Sequence, residues 1–246
     1  MPVVEIQALE QRFDDQVVLG GINLNVEDGE ILAIMGSSGG GKTTLLRCIS
    51  GLLTPTSGSV HVDGIDVRKQ PDAARKRMGM VFQSAALFDY MNVRENVVFG
   101  IARQLKLDSH ERESTANEAL ARVGLHPSEA GKMPSELSGG MRKRVGIARA
   151  LALSPKVMLY DEPTTGLDPV TTYHIDSLIA GLRKERGMTS LLVSHDVSSV
   201  FRVADNIAFL DEGQIVFHGA RADFEASPHP AIRELIDKSR ATAFDL

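Results

Sequence analysis

The sequence predicts an α/β fold: a parallel sheet at the core, an antiparallel sheet at its edge, and a helical subdomain inserted into the sheet domain. Three observations carry this reading. A glycine-rich loop, Gly36-Ser-Ser-Gly-Gly-Gly-Lys-Thr-Thr44, joins the apolar run Glu30-Ile-Leu-Ala-Ile-Met35 to a segment with Leu45, Leu46, Ile49, Leu52 and Leu53 at helical spacing. Two more apolar runs, Val157-Met-Leu-Tyr160 and Thr189-Ser-Leu-Leu-Val193, are short enough for strands buried on both faces, as a parallel sheet requires. Residues 92 to 153, between the first and second of these strands, carry mostly helical patterns.

From the N-terminus, Val-Glu-Ile-Gln-Ala-Leu and Ile22-Asn-Leu-Asn-Val26 alternate like strands and lead to the turn Glu27-Asp-Gly29, which suits the antiparallel edge sheet. Phe13 sits in the polar stretch Gln11-Arg-Phe-Asp-Asp15 and, on periodicity alone, reads as a packing residue. Gly58-Ser-Val-His-Val-Asp-Gly64 is an alternating strand with a turn at each end, and Arg77-Met-Gly-Met-Val-Phe82 is a buried strand ending at Gln83. Asp108-Ser-His-Glu111 opens a helix like a capping box, with Ala116, Ala119, Leu120 and Val123 on its apolar face. Ser138 reads as the N-cap of a helix with Met141, Val145, Ala148 and Ala152 on one face. The expected division is a nucleotide-binding core with its β subdomain over 1–87 and 154–228, a helical subdomain over 88–153, and a tail over 229–246. In that tail Ile232, Leu235 and Ile236 share a helical face and Phe244 and Leu246 end the chain; the alternatives are a frayed end or a face packed on a partner.

At 246 residues the chain can bury a sizeable core. A net charge of −5 argues against broad nucleic-acid binding through a basic face. The single cysteine, Cys48, excludes an intrachain disulfide and reads as a small core residue in a reducing compartment. Met-Pro-Val-Val-Glu lacks a signal-peptide pattern, and no apolar run approaches the ~20 residues that span a bilayer, so a soluble cytoplasmic protein is expected.

The glycine-rich loop carries the chemistry. Gly36, Gly41, Lys42 and Thr43 fit G-x-x-x-x-G-K-[ST], in which successive N–H groups wrap a polyphosphate and the lysine reaches its outer oxygens; Ser37, Ser38, Gly39, Gly40 and Thr44 complete the loop. Thr43 can ligate the Mg²⁺ that accompanies the phosphates. In parallel sheets ligands bind beyond the carboxyl ends of strands, where Gln83, Asp161, Glu162 and His195 all fall. Alone, an Asp ending a strand is more often a turn residue or helix cap, but with the phosphate loop upstream Asp161 suits a carboxylate on Mg²⁺. Glu162 points elsewhere and suits a general base for an attacking water. His195 is either an exposed histidine or a donor to the γ-phosphate or water, and Gln83 either a loop amide or an oxygen ligand to Mg²⁺ or water. Leu137-Ser-Gly-Gly-Met-Arg-Lys-Arg144 opens a second helix with Ser138, Gly139 and Gly140; it is either a capped helix with a solvated basic face or an anion site for a second molecule's nucleotide.

Together these stretches resemble the ATPase subunit of ABC transporters, a P-loop NTPase family with a RecA-like core, over residues 3 to 226. The motifs stand in the family's order: Gly36 to Thr44 as Walker A, Gln83 as Q-loop, Leu137-Ser-Gly-Gly-Met141 as signature, Val157 to Asp161 with Glu162 as Walker B and catalytic glutamate, Thr165-Gly-Leu-Asp168 as D-loop, and His195 as switch histidine. The resemblance implies that Phe13 stacks on adenine and that two ATP–Mg²⁺ are sandwiched in a head-to-tail homodimer. Ser138, Gly139 and Gly140 of one subunit would then close on the other's γ-phosphate. Met141 departs from the family's commonest glutamine, a change not expected to abolish hydrolysis. Gln83-Ser-Ala-Ala-Leu-Phe-Asp89, Asn92-Val-Arg-Glu-Asn96 and the signature further resemble the Mla-type subfamily, which moves phospholipids between the membranes of diderm bacteria and some plastids. That implies an integral membrane permease docked near Ala85 to Tyr90 at the cytoplasmic face of the inner membrane, with a lipid-binding protein and an accessory cytoplasmic subunit as further partners. The competing readings are the ATPase of a small-solute importer or of a lipoprotein-release system, a soluble ABC ATPase, and a regulator that does not hydrolyse.

Overall fold

The computed structural model describes residues 2–37 and 39–244, apart from the side chains of residues 103, 185–186 and 241–244. Ser38, Leu246 and the side chain of Phe244, all named above, lie outside the described residues. The elements run β1 (Pro2–Phe13), β2 (Gln16–Glu27), β3 (Ile31–Gly36), α1 (Lys42–Ile49), β4 (Ser57–Val62), β5 (Ile65–Asp66), α2 (Pro71–Arg75) and β6 (Met78–Val81). The helical insert follows as α3 (Val93–Leu105), α4 (Ser109–Arg122) and α5 (Gly139–Leu151). Alternation then resumes with β7 (Val157–Asp161), α6 (Pro169–Arg186), β8 (Thr189–Val193), α7 (Val197–Val203), β9 (Asn206–Asp211), β10 (Gln214–Ala220), α8 (Arg221–Ala226) and α9 (Pro230–Phe244).

Two sheets result. The larger has strand order β10-β9-β3-β8-β7-β6, parallel from β9 to β6 with β10 antiparallel at one edge. The smaller is antiparallel, in the order β2-β1-β4-β5. Every residue of β7 and β8 is buried, and alternate side chains divide between two cores. Val157 and Leu159 pack with α1 and the small sheet, while Met158 and Tyr160 pack with the helical insert. Each such side chain contributes about 2 kcal/mol of burial, so the period-2 pattern locks register as well as stability.

The helical insert is set by its caps and apolar faces. Asn92 and Asp108 form capping boxes with Glu95 and Glu111, and Ser138 Oγ accepts from the Met141 N–H at 3.2 Å. Ala116, Ala119, Leu120 and Val123 are buried against Val145, Ile147 and Ala148 of α5.

Three expectations need correction. The helix after the glycine-rich loop ends at Ile49, because Gly51 turns into the left-handed region; Leu52 is then 55% exposed rather than part of an apolar helical face. The tail is a docked helix: Ile232 and Ile236 of α9 are buried against Phe209 and Phe224, so the face offered to a partner is covered by this chain itself. The basic run after the signature glycines is no solvated face, since Arg142, Lys143 and Arg144 each donate to backbone carbonyls and Lys143 is buried. Among the described residues no helix is long and apolar enough to cross a membrane.

Candidate functional site

The end of β3 and the start of α1 hold the glycine-rich loop in a single shape. At Gly36, φ is +150°, and a Cβ would collide with the Leu210 carbonyl of β9; at Gly41, φ is +96° and a Cβ would lie 2.9 Å from Leu19 Cδ2. Only glycine meets both demands. α1 has no side chain capping its first turn and no acidic residue there, so its leading N–H groups remain open to an external anion. Lys42 Nζ lies across the loop, donating to the carbonyls of Gly36 (2.9 Å) and Ser37 (2.7 Å). Burial pulls the Lys42 pKa down, opposed by the carboxylates of Glu162 and Asp161.

The carboxylates arrive from β7. Asp161, its last residue, accepts from Thr43 Oγ1 at 3.2 Å. Burial pushes the Asp161 pKa up; the Thr43 hydroxyl opposes this, neighbouring Glu162 reinforces it, and Arg47 and Lys42 oppose it. Glu162 turns the other way because its backbone enters the left-handed region, φ +49°, a conformation that costs a non-glycine residue about 1 kcal/mol. Its N–H is held by the Val193 carbonyl at 3.0 Å. Its Oε2 accepts from Thr165 Oγ1 at 2.9 Å and lies 2.8 Å from His195 Nδ1. Gly39, Gly40, Gly41, Lys42, Thr43, Thr44, Gln83, Glu162 and His195 line one cavity of about 400 Å³.

This donor set fits a nucleotide with a divalent cation. Open helix N–H groups, a lysine and space that only glycines leave free suit a polyphosphate. The Thr43 hydroxyl and the Asp161 carboxylate supply adjacent hard oxygens, the ligand type that Mg²⁺ takes.

Other expected residues lie elsewhere. Phe13, 47% exposed, Ser138, Gly139, Gly140 and Asp168 are outside the lining of the phosphate cavity. Gly139 and Gly140 instead abut Leu167 and Thr171, and Asp168 caps α6 by accepting from the N–H groups of Val170 and Thr171, both at 3.0 Å. The groove beside the helical insert also differs from expectation. It is lined by Tyr90, Met91, Arg94, Val98, Phe99 and neighbours, so of residues 85 to 90 it takes Tyr90 alone, while Ala85 is buried and packs on Gly146.

Sequence reasoning missed the roles of Lys143 and Arg149 and named Thr165 only within the D-loop. Thr165 is reachable only through the fold, as the partner of Glu162. Lys143 had a usable signal: it falls three residues after Gly140 and four before Ile147, both buried, and so on the inward face of α5. Arg149 donates to the carbonyls of Ala85 and Ala86, at 2.7 Å each, holding two consecutive residues with positive φ.

A family model described as ABC transporter matches residues 19–165. The chain is 46% identical over 217 residues to the methionine import ATP-binding protein MetN of Caulobacter vibrioides, covering 87% of this chain but only 64% of that protein. It is 42% identical over 239 residues to the intermembrane phospholipid transport system ATP-binding protein MlaF of Escherichia coli, covering 96% of this chain and 88% of that one. Its fold matches the ATP-binding cassette MJ0796, solved as a dimer in a post-hydrolysis state bound to ADP and Pi, with a TM-score of 0.81, 32% identity, and 88% and 98% of the two chains covered. With the phosphate loop, Glu162 and His195 gathered in one cavity and Asp161 meeting Thr43 beside it, the chain belongs to the ABC transporter family as an ATP-hydrolysing subunit.

Proposed function

We propose that this chain is the motor of an ABC transporter that moves phospholipids between bacterial membranes and so maintains outer-membrane lipid asymmetry. The observation that carries the lipid reading is the likeness to MlaF, 42% identical over 96% of this chain and 88% of that protein, taken together with the resemblance of the stretches 83–89, 92–96 and 137–145 to the Mla type. The 46% identity to MetN favours a second reading, the ATPase of an amino-acid importer.

In the proposed reaction ATP lies with its phosphates in the loop 36–44 and its adenine on Phe13. Lys42 swings from the loop carbonyls to the β- and γ-phosphates, while Thr43, Asp161 and the Gln83 side chain hold Mg²⁺, which when bound neutralises charge on the phosphates. Glu162 accepts a proton from water as the water oxygen attacks the γ-phosphorus; that P–O bond forms as the bond to the ADP oxygen breaks. His195, on Glu162 Oε2, fixes the carboxylate and faces the γ-phosphate. The Ser138–Gly140 turn lies outside its own chain's phosphate cavity, which supports a head-to-tail pair in which that turn and the Asp168 loop complete the other chain's site. Closure and reopening of the pair would drive a permease held in the groove at Tyr90, placing the protein peripherally at the cytoplasmic face of the membrane.

The test is reconstitution of the chain with its co-purified permease in proteoliposomes holding fluorescent phospholipid. ATP-dependent movement of lipid, abolished in Glu162→Gln, is expected; a complex that moves a radiolabelled amino acid and no lipid would overturn the cargo and leave the motor intact.

A further inference from the structure

Lys143 is a buried cation at the junction of three functional segments. From the middle of α5 its ammonium donates to the carbonyl of Gln83 at 2.5 Å and to the carbonyl of Glu162 at 3.3 Å. The first marks where the chain leaves β6 for the helical insert; the second belongs to the residue proposed as the base. The side chain is 6% exposed, and the Glu162 carboxylate is the charge that offsets its loss of hydration.

The Glu162 peptide needs such a tether. Its left-handed backbone persists only if the surroundings hold it, and of its holds only Lys143 comes from the helical subdomain. The N–H is fixed by Val193 at the end of β8, within the sheet; the carbonyl accepts from the Thr165 N–H of its own turn and from Lys143, on the helix that begins at the signature glycines, both at 3.3 Å. Arg149, six residues further along α5, holds the carbonyls of Ala85 and Ala86, so α5 and the segment after Gln83 form one unit.

We infer that Lys143 is a positioning residue for hydrolysis: it ties the Gln83 and Glu162 carbonyls to α5, so that Glu162 keeps its reactive orientation only while the helical subdomain is seated against the sheet. This rests on reading Glu162 as the base. It makes the position of the signature helix, which permease and partner chain both address, a direct control on the proton acceptor.

The experiment compares steady-state ATP hydrolysis and fluorescent-nucleotide binding in the full chain for wild type, Lys143→Met, Lys143→Arg, Glu162→Gln and the double variant Lys143→Met with Glu162→Gln. Expected are a kcat at least tenfold lower in Lys143→Met with KM and nucleotide affinity within twofold of wild type, partial recovery in Lys143→Arg, and a double variant no slower than Glu162→Gln alone, since Lys143 acts through Glu162. A kcat within twofold of wild type in Lys143→Met, nucleotide affinity falling together with kcat, or further loss in the double variant would each overturn the inference. If Lys143→Met does not fold, Lys143→Gln is judged by the same criteria. Persistent hydrolysis in Glu162→Gln would instead refute the base assignment on which it stands.

Discussion

Glu162 shows how much of the chemistry depends on a single residue's backbone. Asp161 and Glu162 are neighbours, yet one meets Thr43 and the other His195, because the chain leaves the strand conformation between them. In the proposed mechanism the pair therefore separates cation binding from proton acceptance. Glu162→Gln keeps the shape and the hydrogen bonds of the side chain but removes the base, so ATP affinity should stay within about twofold while turnover falls at least about 100-fold, measured by phosphate release against nucleotide titration. The identities of these residues were readable from chain order alone: an apolar strand, then Asp161-Glu162, with a glycine-rich loop far upstream. Their division of labour was half readable, since alternation on a strand says that neighbours diverge but not that Glu162 adopts positive φ or that Thr165 braces it. Lys143 was hidden for the opposite reason. It stands between two arginines, and a charge run reads as solvated until the helix is seen packed. Cys48 is the core residue expected, and burial pushes its thiol up to about 11.

At the scale of elements, α3 and α5 jointly shape the segment that follows Gln83. Asn96, fully buried on α3, accepts from the Phe88 N–H at 2.8 Å and donates to the carbonyls of Phe88, Met91 and Asn92, at 3.1, 2.9 and 3.1 Å. Phe88 in turn packs on Phe99 with ring centroids 4.6 Å apart. Asn96→Ala would strand several polar groups at once, and should lower unfolding stability by about 2–4 kcal/mol in urea titrations. Strands β3, β4, β6, β7 and β8 and the caps of α4 and α5 were legible because each carries its own local signal. β9 was not: Asn206-Ile-Ala-Phe-Leu-Asp211 is another short apolar run, and its place between β3 and β10 depends on long-range pairing that no local pattern encodes. β1 exceeds its alternating stretch because the register shifts between Ile6 and Leu9, where Ala8 has φ +46°, and such breaks hide a strand's true length.

On the head-to-tail reading proposed above, the molecule as a whole holds half of each of two sites. Its phosphate loop, Glu162 and His195 converge, while Ser138, Gly139 and Gly140 sit outside that cavity, with the Ser138 hydroxyl capping α5 at the Met141 N–H. A second copy with the same two halves would complete both sites by one symmetric closure, which supports the head-to-tail pair more strongly than either half alone. The direct measurement is sedimentation velocity of Glu162→Gln with ATP–Mg²⁺, with ADP–Mg²⁺, and with ATP–Mg²⁺ after adding Ser138→Arg. The account predicts two chains with ATP, one with ADP, and one when Ser138 is replaced. A single chain at saturating ATP, or a dimer indifferent to Ser138→Arg, would contradict it.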